Sequence, residues 1–158
     1  MVVLSPSLNL TEMVSLVLTD SGRIATAVKA GCCWQPWLQK ELEILLLQTG
    51  FGVVRQVPYP KPRQDWALNL LARRGDTMMA LEVVVEGPES AGAELLHGVR
   101  DNLAKVVYYN ALPAHQRLVL AIGYSTGARA ALQRFADDVD NHGLYAEQDH
   151  VGVLIASP

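Results

Sequence analysis

Apolar positions along the chain follow two different periods, and the change of period marks out the elements. The string Asn9-Leu10-Thr11-Glu12 reads as a helix cap with an acid three residues on, and an apolar stretch follows to Leu18. Asp20 and Ser21 punctuate, and a second helical stretch runs to Ala30, where Gly31 stops it. Pro36 sits where a first helical turn tolerates it, so residues 37–49 are predicted helical, closed by Gly50. Residues 51–59 are β-like and rich in Val. Pro58-Tyr59-Pro60-Lys61-Pro62 is a stiff connector that no strand interior would accept. Residues 65–72 read equally as a strand or a short helix. Arg73-Arg74-Gly75-Asp76 is a turn, and the Val run of residues 77–86 is a strand ended by Gly87-Pro88.

In the second half, Leu95, Leu96, Val99, Leu103, Val106 and Val107 share one helical face, predicting a helix over residues 92–112. Residues 117–123 form a buried-type strand. Residues 126–139 form a helix that ends near Asn141-His142-Gly143, and residues 150–156 form a last strand. The order after the N-terminal helices is αβββαβαβ. Strands separated by helices imply parallel pairing, and the uninterrupted strand run implies antiparallel pairing, so the fold class is α/β with a mixed β-sheet. The helical arm, residues 1–35, precedes an α/β domain of residues 36–158. Its two helices have the outline of a helix-turn-helix. No cluster of Arg, Asn or Gln marks a recognition face, which makes a packing arm the expected role.

With 158 residues, half of them hydrophobic, the chain suits one domain with a core of mostly Leu, Val and Ala. The formal net charge of −3 offers no global basic field for nucleic acid, leaving only a local patch to do that work. Cys32 and Cys33 are adjacent, where a disulfide would be strained, and no zinc-type spacing is present. A reduced, cytoplasmic setting is expected, with neither a signal peptide nor a membrane span.

Three carboxylates stand where apolar residues would be expected. Glu41 has Trp37, Leu38, Ile44 and Leu45 as its helical neighbours, whereas Glu43 lies beside Gln39 and Lys40 and reads as solvent-facing. Asp65 follows the proline connector. Glu82 lies deep in a strand, where alternation puts Ala80, Glu82, Val84 and Glu86 on one face and Leu81, Val83 and Val85 on the other. A strand carboxylate is costly to bury unless it is paired or holds a cation. Converging acids would suit Mg²⁺ or Mn²⁺, which would activate a water.

With these residues the chain resembles the PD-(D/E)xK, or restriction-endonuclease-like, nucleases. Their αβββαβ core matches the element order over residues 37–123, with a further αβ unit after it. The family pattern has a helix acid, an Asp at the start of the second strand and Glu-x-Lys on the third, and Glu41, Asp65 and Glu82 fit the acids. Val84 stands where the Lys belongs. Lys105, on the next helix, would supply the missing charge, or else pair with Asp101 one turn back. The resemblance implies a metal-dependent endonuclease hydrolysing DNA phosphodiester bonds. Glu41, Asp65 and Glu82 would hold the Mg²⁺, and Lys105 would complete the catalytic set. Arg63, Arg73, Arg74 and Arg100 would meet phosphates, and a homodimer is also implied. The substitution at Val84 leaves open a degenerate relative that binds or scaffolds without cutting.

Gly123-Tyr124-Ser125-Thr126-Gly127 follows a strand and opens a helix, which is the nucleophile-elbow context of serine esterases of the α/β-hydrolase type. Too little chain follows Ser125 to carry the strands on which an acid and a His would return, whichever of Asp137, Asp138, Asp140, Asp149, His142 and His150 served. A helix cap is the alternative role for Ser125. Trp34 and Trp37 either anchor the arm to the core or present a dimer or base-stacking surface. Of Tyr108 and Tyr109, one is expected to pack and the other to face solvent. Arg55, Lys61, Arg63, Arg73 and Arg74 are read either as a phosphate-binding rim or as a solvated surface.

Overall fold

The computed structural model describes residues 10–31, 34–87 and 92–158. The expected cap at Asn9, the cysteine pair and Pro88 therefore lie outside the described residues. Three helices come first: α1 (Leu10–Leu18), α2 (Ser21–Ala30) and α3 (Trp34–Gln48). Strands β1 (Gly52–Pro58), β2 (Ala67–Arg74) and β3 (Thr77–Val85) follow, then helix α4 (Ala93–Val106), strand β4 (Arg117–Gly123) and helix α5 (Thr126–Asp137). Strands β5 (His142–Gln148) and β6 (Val151–Ser157) close the chain. The six strands make one mixed sheet in the order β1-β2-β3-β4-β6-β5. Only the β3–β4 pairing is parallel, as the α4 crossover requires.

The sheet divides the core in two. On one side Leu38, Leu42 and Leu46 of α3 pack on Leu70, Ala72, Leu81, Val83, Leu120 and Ile122. The expected packing arm joins this same layer, with Met13, Val14, Val17 and Ile24 buried in it. On the other side α4 and α5 lie over Ala121, Leu154 and Ala156, and α4 also covers Ala80 and Val119. Alternation along β3 therefore points Leu81 and Val83 at α3, and Ala80, Glu82 and Val84 at α4.

Three expectations change. Residues 142–148 form strand β5, which the sequence pattern did not predict, because an edge strand of mixed burial carries a weak periodicity. A tight turn at Asp149 and His150, both at positive φ (55° and 60°), folds β5 back onto β6. The extra reversal makes β6 antiparallel to β4 rather than parallel. The ambiguous segment after Asp65 is strand β2. The helix predicted to residue 112 ends at Val106, and the turn beyond it still buries Tyr109 and Leu112.

Strand β2 is not regular at its start. Leu70 and Ala72 face α3, but Leu68 packs with Tyr59, Val106 and Tyr109 on the α4 side. The chain changes face at Asn69, between the cross-strand pairs Arg55–Leu70 and Val57–Leu68, where Gln56 of β1 has a φ of 55°. The β2–β3 pairing stops at Leu70–Leu81, and the Val83 N–H donates instead to Asn69 Oδ1 at 2.7 Å. This distortion carries the segment before β2 to the α4 side of the sheet, where Glu82 points.

Candidate functional site

Glu82 is 1 % exposed and sits beneath α4. The Tyr59 hydroxyl donates to its Oε1 at 2.7 Å, and the Lys105 ammonium lies 3.2 Å from the same oxygen. Lys105 is held in place by the Ala67 carbonyl, to which it donates at 3.1 Å, and its Nζ lies 5.3 Å from the centre of the Tyr59 ring. Burial pushes the Glu82 carboxyl above its usual range, opposed by Tyr59 and Lys105. Burial likewise raises the Tyr59 phenol, helped by the hydrogen bond to Glu82. Lys105 thus pairs with Glu82, not with Asp101 one turn back. Asp101 instead lies 3.4 Å from His97.

Val84 stands where the nuclease pattern has Lys, and its surroundings explain the apolar residue. Helix α4 packs tightly on β3 at Gly98, where an added Cβ would come within 3.1 Å of Val84 Cγ1. A long charged side chain directed there would run into the helix. The cation beside Glu82 comes from α4, at Lys105.

Glu41 does not join this site. It lies on α3, on the far side of the sheet, with Arg23 of α2 donating to both its oxygens at 2.8 and 3.1 Å. Arg23 holds the Glu41 carboxyl below its usual range against the effect of burial. Asp20, 3.6 Å from Arg23, is raised to about 6, first by burial and then by Glu41 beside it. The expected convergence of Glu41 with Glu82 is therefore corrected, because successive layers on opposite faces of one sheet cannot share an ion. Asp65 is exposed in the turn before β2, two residues from the Ala67 carbonyl that holds Lys105. Among the described residues no three His, Cys, Asp or Glu side chains group as a metal site.

The expected arginine rim also disperses. Arg63 precedes β2, its guanidinium 4.7 Å from the Trp66 ring centre and 5.4 Å from that of Tyr108. Arg73 and Arg74 lie at the opposite end of β2, where Arg73 donates to the Gly75 carbonyl and Arg74 lies over Phe51 and donates to the Thr49 carbonyl. Arg55 pairs with Glu43 at 3.2 Å, and Arg100 is exposed on α4. Of the two tyrosines, Tyr109 packs and Tyr108 is 48 % exposed.

Glu86 has a separate task that the sequence left open. It is buried, and its Oε1 accepts from the Tyr124 N–H, the Ser125 N–H and the Ser125 hydroxyl, each at 3.0 Å. Its own carbonyl accepts from Trp34 Nε1 at 3.1 Å. Ser125 Oγ in turn accepts from the Ala128 N–H, capping α5. Donor and acceptor roles of Ser125 are thus both used in joining β3 to α5. Trp34 is buried as an anchor, and Trp37 borders an open groove of about 670 Å³ with Arg23, Thr26 and Ala27.

Sequence reasoning missed Tyr59, which reads as part of a proline connector. The available signal was an aromatic residue among prolines, whose rigid turn can bury a side chain without regular structure. Compared with protein-family models, with curated proteins and with solved structures, the chain gives no match.

Proposed function

We propose that the chain is a nuclease-like module that binds nucleic acid without cutting it, a degenerate form of the restriction-endonuclease-like fold. The observation that carries this reading is how the acids are compensated. Glu82 is matched by Lys105 and Tyr59, and Glu41 by Arg23 across the sheet. A divalent ion needs several oxygens converging on one point, and here Glu82 Oε1 and both Glu41 oxygens are engaged by separate cations on opposite sides of the sheet. The element order and the position of Asp65 support kinship with the nucleases, and binding is the part of their activity that needs no ion.

Incubation of supercoiled plasmid and single-stranded DNA with Mg²⁺ or Mn²⁺ tests the reading. Bound but uncut DNA is the expected result. Metal-dependent cleavage that disappears in Glu82→Ala would overturn it. That outcome would favour a second reading, a metal-dependent endonuclease built on Asp65, Glu82 and Lys105. It has one observation behind it: Lys105 Nζ reaches Glu82 from the neighbouring helix, supplying the charge that Val84 lacks.

A further inference from the structure

We propose that Arg63, Trp66 and Tyr108 form a stacking site for single-stranded nucleic acid. The inference rests on the binding reading above and names the form of nucleic acid recognised and the residues that recognise it.

The cluster is assembled from the inside out. Buried Tyr59 meets Trp66 edge to face at 5.7 Å, and Trp66 meets Tyr108 edge to face at 5.5 Å. Arg63 lies over both outer rings and is exposed. Its backbone is fixed as well, since Arg63 N–H donates to the Pro60 carbonyl and Trp66 N–H to the Arg63 carbonyl, at 2.9 and 3.0 Å. Its guanidinium has no hydrogen-bond or ion-pair partner among the described residues. The other arginines assigned to phosphate contact differ in this respect where they lie at the far end of β2, because Arg73 and Arg74 donate to backbone carbonyls.

A guanidinium lying over aromatic rings, with no hydrogen-bond partner among the described residues, keeps its donors free for phosphate, while the exposed guanidinium and ring surfaces offer planes for a base. Because the rings already fix the side chain, less rotamer freedom is lost on binding. Exposed Lys61, two residues away, adds a second cation on the same turn. A duplex keeps its bases stacked on one another and would use only the charges. An inorganic phosphate would use only the arginine edge. An unpaired strand uses the charges, the plane and the half-exposed Tyr108 ring together, which is why it is the favoured ligand.

Fluorescence anisotropy with a short labelled oligothymidylate, the same strand in duplex form, and inorganic phosphate as competitor tests the site. The native chain should prefer the single strand to the duplex by about tenfold, the scale of one stacked base. Arg63→Ala and Tyr108→Ala should each remove about that factor for the single strand. Both residues are exposed, so melting temperatures should hardly change. Arg63→Lys should keep the salt dependence that Arg63→Ala weakens, yet not restore the single-strand preference. Equal affinity for strand and duplex, or single-strand binding unchanged in both alanine variants, would overturn the proposal. If such silent variants still bind nucleic acid, the stacking site fails and the binding reading stands. If neither form of DNA binds the native chain, the binding reading fails with it.

Discussion

Glu41 and Glu82 are both largely buried carboxylates, one on each side of the same sheet, and they are stabilised in opposite ways. Glu41 lies near the rim of the α1–α3 layer, where Arg23, itself largely exposed, reaches in with two hydrogen bonds and lowers the carboxyl's affinity for a proton. Glu82 lies under α4 with Lys105 and the Tyr59 hydroxyl beside it, and burial dominates, raising that affinity. A carboxylate can thus be tolerated in this fold either by a largely exposed cation or by a half-buried ammonium together with a buried phenol. The second arrangement leaves more at stake when one member is lost.

The largest effect should follow Glu82→Ala. It strands the buried Tyr59 hydroxyl and removes the partner of Lys105, a loss of about 3 kcal/mol on the scale of broken buried pairs. The unfolding midpoint by calorimetry should fall by roughly 6–12 °C for a domain of this size. Glu41→Ala should shift it less, because Arg23 regains water. An equal or larger shift in Glu41→Ala would erase the distinction between the two sides.

Lys105→Met should come next. Glu82 can take up a proton once its ammonium is gone, so the loss should be about 1–2 kcal/mol. A double-mutant cycle between Glu82→Gln and Lys105→Met should give a coupling of about 1 kcal/mol, whereas Glu82→Gln with Arg23→Ala should be additive.

Smaller, but diagnostic, are the pH dependences. A raised carboxyl binds more protons in the folded chain than in the unfolded one. The Glu82 contribution to stability is therefore full below the ordinary carboxylate range and lost as pH rises through its raised value. Asp20 acts in the same sense, between its ordinary 3.8 and about 6. Glu41, being lowered, acts in reverse: its contribution is present above the ordinary range and lost as pH falls through its folded value. Urea titrations across the acid range should show Asp20→Asn and Glu82→Gln flattening the decline with rising pH. Glu41→Gln should instead diminish the loss on acidification. The smallest change is expected in Arg23→Ala, best read by carboxyl NMR as a return of Glu41 toward its ordinary titration.

Much of the architecture was legible in the chain. The periodicity around Leu95, Val99 and Leu103 marked α4, and the Val run around Glu82 marked β3, because each buries a face of fixed period. The parallel β3–β4 pair followed from the helix between them. Strand β5 was not legible, since Leu144 and Tyr145 sit among polar residues on a sheet edge and their local pattern carries little signal. Its absence from the prediction also reversed the expected direction of β6. At the candidate site, Glu82 was visible as a charge in an apolar strand, and Lys105 as its prospective cation. Tyr59 was hidden in the proline connector, and Glu86 gave no hint that it would cap the start of α5 through Tyr124 and Ser125.

The sequence by itself determined which segments are helix or strand over most of the chain, and that acids occupy apolar surroundings at Glu41 and Glu82. These follow from local spacing, because helices and strands present side chains at fixed intervals. Only the tertiary structure decided which acids meet. The face each residue occupies depends on how α3 and α4 settle on opposite sides of the sheet, and on the change of face at Asn69, neither of which any local period encodes. It joined Glu82 to Lys105 and Tyr59 and separated Glu41 by the thickness of the sheet.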